Sequence, residues 1–274
     1  MKKTDRHIDI MGIVNLTDDS YFAESRCMDD PMKRIGDLLS EGATIIDLGA
    51  CSTRPGAVPV GVEEEWRRLK PVIERITYEH PDMTISIDTV YSEIIGNAYR
   101  TVESVLGADR ASKIIVNDIS AGEDDKRMLP LVGELGLRYI AMHKRGTSLD
   151  MQEYCRYDDV LSEVRRYFED FAVKASQNGI SDWILDPGFG FAKNIEQNYA
   201  LLNGLESLCA CGSPVLVGVS RKSMIYKFLD ISPEDALPAT QVLHLKALQN
   251  GADILRVHDV AEAVRTVRLY RVLR

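Results

Sequence analysis

The residues that could carry chemistry are spread along this chain at regular intervals. Polar side chains end or directly follow a series of short apolar runs, and they are Asn15, Asp47, Asp88, Asn117, His143, Asp186, Ser220 and Arg256. Among them, Asp88, Asn117 and Asp186 supply two carboxylates and an amide, which together suit the edge of a flat, nitrogen-rich heterocycle. The two carboxylates could instead act as general acid and base, or one could bind a metal, and the residue types alone leave these alternatives open.

Cationic residues at the end of the last apolar run indicate a site for an anion. Arg256 and His258 are two positions apart, so their side chains point to the same side of a strand. Together with Arg54, from a connection near the start of the chain, they could neutralise a phosphate or a diphosphate. The structural alternative for Arg256 is an ion pair with a neighbouring carboxylate.

The apolar runs that precede these residues predict eight β-strands. They are Ile8–Val14, Thr44–Leu48, Thr84–Ile87, Lys113–Val116, Arg138–Met142, Trp183–Leu185, Pro214–Val219 and Ile254–Val257. Most are continuously apolar, which is typical of parallel strands covered on both faces. Amphipathic helical stretches lie between the strands, and glycines suited to a left-handed helix end follow several of them, at Gly42, Gly107, Gly136, Gly179 and Gly251.

The spacing of the polar residues favours one parallel-sheet fold over another. They recur about every 34 residues, and eight such units predict a (β/α)8 TIM barrel, a single domain over 1–274 with its site at the C-terminal strand ends. An open doubly wound sheet fits less well, because no G-x-G-x-x-G follows the first strand. Two long connections, Leu16–Asp30 and Gly49–Gly61, lie on the catalytic face, and we expect them to close over a substrate.

Composition argues against several classes of partner. The chain of 274 residues has 33 basic and 42 acidic side chains, and its net charge of −9 disfavours binding to a nucleic-acid backbone. No apolar run approaches the roughly 20 residues that span a bilayer, and the first residues lack the apolar segment of a signal peptide. Five scattered cysteines fit reduced thiols. We therefore expect a cytoplasmic protein with no membrane or nucleic-acid partner.

Eight short motifs, each at the end of a predicted strand, give the chain a specific resemblance. In order they are MGIVNLTDDS, IIDLGACSTRPGA, ISIDT, VNDIS, MHKRG, DPGFGFAKN, VGVSRKS and RVHDV. Over roughly Ile10 to Leu269 the chain resembles the dihydropteroate synthase family of folate biosynthesis. The resemblance implies a TIM-barrel transferase that condenses 6-hydroxymethyl-7,8-dihydropterin diphosphate with p-aminobenzoate, giving 7,8-dihydropteroate and diphosphate. It also implies Mg²⁺ as a cofactor and a homodimer.

The resemblance also implies a role for each residue that matches a family motif. The implied pterin contacts are Asp88, Asn117, Met142, Asp186 and Lys222. The implied diphosphate contacts are Asn15, Thr53, Arg256 and His258, with Asn15 also a ligand of Mg²⁺. The implied p-aminobenzoate contacts are Asp19, Arg54, Phe191, Lys222 and Ser223, the last at a helix N-terminus. The residues implied in catalysis are Asp88, Asn15, Arg256 and His258.

The implied chemistry agrees with these residue types. Diphosphate is a good leaving group when Mg²⁺ and cationic side chains neutralise its charge. Its departure leaves positive charge on the exocyclic methylene of the pterin, and we expect the carboxylate of Asp88 to stabilise that charge. The arylamine then attacks without a strong base, and closure of the two long connections excludes water.

The chain departs from the usual family pattern at a few positions. Asp18, Cys51, Ala192 and Asn194 stand where the family commonly has Pro, Glu, Gly and Thr. None of these residues is among the principal ligands that the resemblance implies. The differences therefore concern the loops around the site.

Two other functions are alternatives to the one that the resemblance implies. A methyltetrahydrofolate-dependent methyltransferase domain shares the pterin-holding Asp and Asn but has no need of S-T-R-P, S-R-K and R-V-H-D together. A binding protein that has lost turnover is disfavoured by the intact set of Asn15, Asp88 and Arg256.

The last helix carries an apolar stripe that bears on the oligomeric state. Its residues Val264, Val267 and Tyr270 lie at helical spacing. They could serve a dimer contact or pack on the barrel's own wall.

Overall fold

The computed structural model describes residues 6–17, 30–51, 60–147 and 150–273, and these form one eight-stranded sheet. The strands are β1 (Asp9–Asn15), β2 (Ile45–Gly49), β3 (Thr84–Asp88), β4 (Ile115–Asp118), β5 (Arg138–Met142), β6 (Trp183–Asp186), β7 (Leu216–Val217) and β8 (Ile254–Val257). They are hydrogen-bonded in the order β6-β5-β4-β3-β2-β1-β8-β7, and every neighbouring pair is parallel. Their Ile, Val and Leu side chains suit a sheet that is covered on both faces.

The two ends of this sheet meet and close it into a barrel. Leu185 of β6 forms a parallel bridge with Val215, and the Leu185 amide donates to the Pro214 carbonyl at 2.9 Å. β7 is shorter than the predicted run Pro214–Val219. At its start, Pro214 has no amide hydrogen, and the Val215 amide donates to the Asp253 side chain at 2.8 Å rather than to a strand carbonyl. The predicted (β/α)8 barrel is confirmed.

Helices alternate with the strands around the barrel. They are α1 (Pro31–Glu41), α2 (Val62–Glu79), α3 (Ser92–Leu106), α4 (Ala108–Ala111), α5 (Met128–Leu135), α6 (Val160–Gln177), α7 (Ile195–Asn203), α8 (Ser223–Leu229), α9 (Leu237–Gln249) and α10 (Val260–Leu273). At the start of α1, the side chain of Asp30 accepts from the Lys33 amide at 2.9 Å. The five glycines predicted near helix ends all have positive φ, between 63° and 105°. None of the helices in the described ranges is long and apolar enough to cross a membrane.

The barrel interior carries a polar layer directly above an apolar one. The apolar layer is a buried cluster of Met11, Ile45, Ile115, Ile140, Ile184, Leu216 and Ile254. Side chains alternate along a strand, so the residue two positions further on points to the same side. In five of the strands that position holds Asp47, Asn117, Met142, Asp186 or Arg256. The alternation therefore places these side chains together at the C-terminal strand ends, where TIM barrels have their sites.

The last helix packs on the barrel's own wall. Val267 and Tyr270 are each only 5% exposed, and Val264 packs against the same core cluster. Of the two alternatives for this stripe, the structure therefore shows packing on the wall. The homodimer stays a prediction.

Gly133 in α5 should tolerate no larger residue. A Cβ built there would lie 1.7 Å from the carbonyl oxygen of Asn178, just beyond α6. Gly133→Ala should therefore lower the free energy of unfolding by about 3 kcal/mol, the upper end of the usual cost of overpacking. Gly36→Ala in α1 is the matched control, because a Cβ built there has no atom within 4 Å apart from its chain neighbours and the backbone of its own helix. It should raise the free energy of unfolding by about 0.5–1 kcal/mol. Chemical denaturation measures both, and equal stabilities would refute the close approach.

Candidate active site

The polar layer and the adjoining loops carry most of the predicted site residues. Strands β1, β3, β4, β5, β6 and β8 carry Asn15, Asp88, Asn117, Met142, Asp186 and Arg256. His258 directly follows the last of these strands, Lys222 and Ser223 lie where the chain enters α8, and Phe191 lies between β6 and α7. Asp19, Thr53 and Arg54 lie outside the described residues, as does most of the two long connections, so those predictions stay predictions.

Arg256 is the centre of a buried ion cluster. Its Nε donates to Asp47 Oδ2 at 2.7 Å, and its Nη2 lies 2.6 Å from Asp47 Oδ2 and 2.8 Å from Asp88 Oδ2. The side chain of Asp47 is fully buried, and that of Asp88 is 12% exposed. The ion pair considered from the sequence as the alternative for Arg256 is therefore present. One guanidinium faces two carboxylates, so ionisation of both acids leaves an excess negative charge.

This excess of acid over base affects the protonation of Asp88. Burial raises the pKa of Asp88 to about 7, with Arg256 acting in the opposite direction and Asp47 adding to the rise. Burial alone would lower the pKa of Arg256, but the carboxylates of Asp47 and Asp88 raise it. Arg256 therefore stays charged, whereas Asp88 gains or loses a proton near neutral pH.

Two amide side chains lie beside the ion cluster. Asn117 Nδ2 donates to both carboxylate oxygens of Asp47 at 3.3 Å. Asn15 and Asp88 lie on either side of Gly49, since a Cβ built there would be 3.6 Å from Asn15 Oδ1 and 3.8 Å from Asp88 Oδ2. The lack of a side chain at Gly49 thus leaves room between two oxygen atoms from different strands.

The same two oxygens, Asn15 Oδ1 and Asp88 Oδ2, are candidate ligands of a magnesium ion. No group of three or more His, Cys, Asp or Glu side chains within the described ranges could hold a metal. Mg²⁺ prefers oxygen ligands, keeps several waters and is often bound through one or two protein groups and substrate phosphates. The amide oxygen of Asn15, with the carboxylate of Asp88 across Gly49, fits an ion bound mainly by phosphate and water.

A second pair of opposite charges lies at the ends of β6 and β7. Asp186 is buried, and its Oδ1 accepts from the Gly188 amide at 2.8 Å. Lys222 Nζ donates to the Phe189 carbonyl oxygen and lies 5.0 Å from the ring centroid of Phe191. Burial lowers the pKa of Lys222 to about 8 against the effect of Asp186, and burial raises the pKa of Asp186 itself. The two side chains supply a hydrogen-bond acceptor and a donor at this end of the barrel.

A buried lysine fixes the backbone of the connection after β6. Lys193 is 3% exposed, and its Nζ lies 3.0 Å from the carbonyl oxygens of Gly188 and Phe191. The same Nζ is 2.9 Å from His143 Nδ1. Burial lowers the pKa of His143 to about 2, so its imidazole is neutral and can accept this hydrogen bond. Ala192 has φ of 48°, a left-handed conformation that favours glycine. Lys193 therefore holds a strained turn that carries Phe191.

The end of β8 is tied to the loop after β7. His258 Nδ1 lies 3.0 Å from Ser220 Oγ. Burial lowers the pKa of His258 to about 3, and the charge of Arg256 acts in the same direction, so the imidazole is neutral. Arg221 donates from Nε and Nη2 to the two carboxylate oxygens of Asp259, each at 2.8 Å. This bidentate pair holds the two loops together.

Comparison with known proteins decides the family of this chain. A family profile described as pterin binding enzyme matches residues 11–258, which is most of the chain. The chain belongs to the family of pterin-binding enzymes. The motifs that carried the resemblance in the sequence, from MGIVNLTDDS to RVHDV, all fall on or next to this matched range.

Pterin-binding enzymes of similar sequence and structure are dihydropteroate synthases. The dihydropteroate synthase of Escherichia coli is 40% identical over 267 residues, which cover 96% of this chain and 90% of that protein. The crystal structure of the Yersinia pestis enzyme with a sulfonamide drug complex has a TM-score of 0.89 at 34% identity, covering 98% and 94% of the two chains. The Xanthomonas albilineans enzyme with 4-aminobenzoic acid has a TM-score of 0.84 at 35% identity, covering 97% and 93%. The predicted resemblance to dihydropteroate synthase is confirmed.

Two buried residues of this pterin-binding enzyme received no role from the sequence. Asp47 carries a usable signal, because it follows Ile45 by two positions and so shares the inward face of β2. Lys193 carries no such signal, because a lysine in a loop is usually exposed. Its burial depends on carbonyl groups that only the folded loop brings together.

Proposed function

We propose that this chain is a dihydropteroate synthase, a transferase of folate biosynthesis that acts as a single domain over 1–274. It joins 6-hydroxymethyl-7,8-dihydropterin diphosphate to p-aminobenzoate and releases diphosphate. The observation that carries the proposal is one barrel end with two kinds of chemistry. Acids and an amide suited to a pterin edge (Asp88, Asn117 and Asp186) share it with Arg256 and His258, which suit the diphosphate.

The pterin ring lies in the polar layer of the barrel. Asp186 accepts from the 2-amino group and N3 of the ring, while Asn117 and Lys222 contact its other polar atoms and Met142 lines the pocket. The burial of Asp186 supports this role, because a carboxylate away from water makes strong hydrogen bonds to adjacent N–H donors. Asp88, at the end of β3 and next to Asn117 of β4, lies beside the carbon that reacts.

The diphosphate binds at the ends of β1 and β8. Asn15, Arg256 and His258 hold it, together with Thr53, which lies outside the described residues. His258 contributes an N–H donor rather than a charge, because its imidazole is neutral. Asn15 also holds Mg²⁺, which when bound neutralises charge on the leaving diphosphate.

The reaction begins with cleavage of the bond between the exocyclic methylene carbon and the diphosphate oxygen, whose electron pair leaves with the diphosphate. The ionised carboxylate of Asp88 stabilises the positive charge that develops on the methylene and the ring. The nitrogen of p-aminobenzoate then donates its lone pair to the methylene carbon and afterwards releases one proton to water. A neutral arylamine needs no strong base for this attack.

p-Aminobenzoate binds beside the pterin at the loops after β6 and β7. Phe191, Lys222 and Ser223 contact it, and Asp19 and Arg54 complete the site from segments outside the described residues. The position of Lys222 Nζ, 5.0 Å from the Phe191 ring centroid, supports a site with an apolar wall and a cation for the carboxylate. The relative solved with 4-aminobenzoic acid supports the same class of second substrate.

The test mixes the purified full chain with dihydropterin diphosphate, p-aminobenzoate and Mg²⁺. We expect diphosphate and dihydropteroate to form in equal amounts, and little diphosphate when p-aminobenzoate is omitted. Binding of both substrates without any product would favour the binding protein that has lost turnover. Consumption of methyltetrahydrofolate with a corrinoid protein, and no dihydropteroate, would favour the methyltransferase.

The rate of this reaction should rise with pH through a pKa near 7. Below the pKa of about 7 that burial gives Asp88, its carboxyl group is protonated and has no charge with which to stabilise the cation. Since kcat/KM reports ionisations of the free enzyme, it should rise by about tenfold per pH unit below that pKa and level off towards pH 8, near the pKa of Lys222. Asp88→Asn should remove this limb, and a flat wild-type profile between about pH 5 and 8 would count against the role of Asp88.

We also propose a homodimer in the cytoplasm. The family resemblance supports the homodimer, and light scattering on the purified chain measures its mass in solution. The four cysteines within the described residues, Cys51, Cys155, Cys209 and Cys211, are free thiols, which supports a reducing compartment.

A further inference from the structure

Arg34 reaches from α1 to the end of β8. It lies in the first turn of the helix, and its Nη2 donates to the carbonyl oxygen of His258 at 2.7 Å. Its Nε is buried and makes no hydrogen bond. The guanidinium is thus held against the strand end that carries the proposed diphosphate ligands, and its Nε–H has no acceptor.

Arg34 differs from Arg256 and Arg221, at the same end of the barrel, in its ion-pair partners. Arg256 faces Asp47 and Asp88, and Arg221 faces Asp259. Arg34 makes no ion pair with any acidic group in the described part of the chain. Carboxylates at positions 30 and 37 lie one turn away on its own helix, a spacing that commonly gives ion pairs, yet the side chain extends towards β8 instead. A partly buried cation that pairs with no carboxylate of the described residues fits a site for a bound anion.

A diphosphate carries several negative charges, and Arg34 adds positive charge at the strand ends where we place it. The guanidinium of Arg256 is already shared by two carboxylates, so it offers little uncompensated charge to a ligand. The neutral His258 offers none, and the charge of Arg34 contributes to keeping it neutral. Among the described residues at the ends of β1 and β8, Arg34 therefore supplies the positive charge that Arg256 and His258 do not offer to a multiply charged tail.

We propose that Arg34 is a further diphosphate-binding residue, which contacts the terminal phosphate of the pterin substrate and the released diphosphate. This inference rests on the proposed function for the identity of the ligand. It separates two tasks among the basic residues. Arg256 binds the diphosphate where it joins the pterin and also orders Asp47 and Asp88. Arg34 binds the part of the tail that lies furthest from the ring.

The test measures binding of inorganic diphosphate to the full chain by calorimetry, with Mg²⁺ present and without turnover. Arg34→Gln should raise the Kd of diphosphate by about tenfold, which corresponds to about 1.4 kcal/mol. Arg34→Lys keeps the charge and should lose less. Lys33→Gln is the matched control, because Lys33 is an exposed cation in the same helical turn, and it should change the Kd by less than about twofold.

The second ligand is 6-hydroxymethyl-7,8-dihydropterin, which has no phosphate tail. Its Kd should be the same for Arg34→Gln and the wild type, which also shows that the variant is folded. An unchanged diphosphate Kd in Arg34→Gln, an equal loss in Lys33→Gln, or an equal loss for the tail-free pterin would each overturn the inference. If the wild type binds diphosphate but forms no dihydropteroate, the proposed function fails while the role of Arg34 in anion binding is still decided by the calorimetry.

Discussion

Asp88→Asn should lower kcat by at least about 100-fold and change the affinity for 6-hydroxymethyl-7,8-dihydropterin by less than about threefold. The carboxylate faces positive charge that develops only as the bond to diphosphate breaks, so it stabilises the transition state more than the bound substrate. Asparagine has nearly the same volume and keeps an oxygen that can accept from Arg256 Nη2, which lies 2.8 Å from Asp88 Oδ2. The substitution therefore removes the charge and leaves the wall of the site in place.

Single-turnover rates and pterin titrations on the same preparation measure the two quantities separately. Asp109→Asn is the control, because Asp109 is an exposed acid on the outer helix α4, and neither quantity should change. The ion cluster has one cation for two acids, so the loss of one acid should leave the protein stable. If turnover and pterin affinity fell by the same factor, Asp88 would be a binding residue rather than a stabiliser of the cation.

The order of strands and helices could be predicted from the sequence because local patterns determine it. Continuously apolar runs predict strands buried on both faces, and glycines mark the helix ends by their positive φ. The bounds of β7 could not be predicted in the same way. Pro214 and Val215 lie in an apolar run, but the Val215 amide donates to the side chain of Asp253, a contact across 38 positions that no local pattern contains.

The positions of the site residues could be predicted, but their contacts could not. Alternation along each strand places Asp47, Asp88 and Arg256 at one end of the barrel. That Arg256 is shared between the two acids depends on distances between strands that lie far apart in sequence. No pattern of residue types specifies this sharing, so the sequence left both an ion pair and an anion site open for Arg256. The structure shows the ion pair, and the anion site stays a proposal.

The connection after β6 shows a further limit of sequence reasoning. Lys193 and Ala192 look like ordinary loop residues, yet one is buried among carbonyl oxygens and the other has a left-handed backbone. Each conformation is costly alone and is stabilised only by the other contacts of the folded loop. Residues of this kind follow from the packing of the loop against His143, which a local pattern does not contain.

Asp186→Asn should weaken binding of 6-hydroxymethyl-7,8-dihydropterin by roughly 100-fold, or about 2.7 kcal/mol. The carboxylate offers two acceptors to the adjacent N–H donors of the ring, whereas the amide offers one acceptor and places its own donor against the second N–H. The substitution also removes the negative charge that raises the pKa of Lys222, so burial should lower that pKa further. In the wild type the backbone N–H of Gly188 donates to Asp186 Oδ1 at 2.8 Å. The side-chain oxygen of asparagine can accept the same hydrogen bond, so the fold should persist.

Calorimetric titration of the pterin measures this loss, and Asp182→Asn is its control. Asp182 directly precedes β6 and is exposed at the opposite end of the strand, where it pairs with Arg138, so its substitution should leave pterin affinity unchanged. Pterin binding by Asp186→Asn within about twofold of the wild type would mean that the ring does not use this carboxylate. The other two acids of the described polar layer, Asp47 and Asp88, are both paired with Arg256. Such a result would therefore place the ring outside the polar layer.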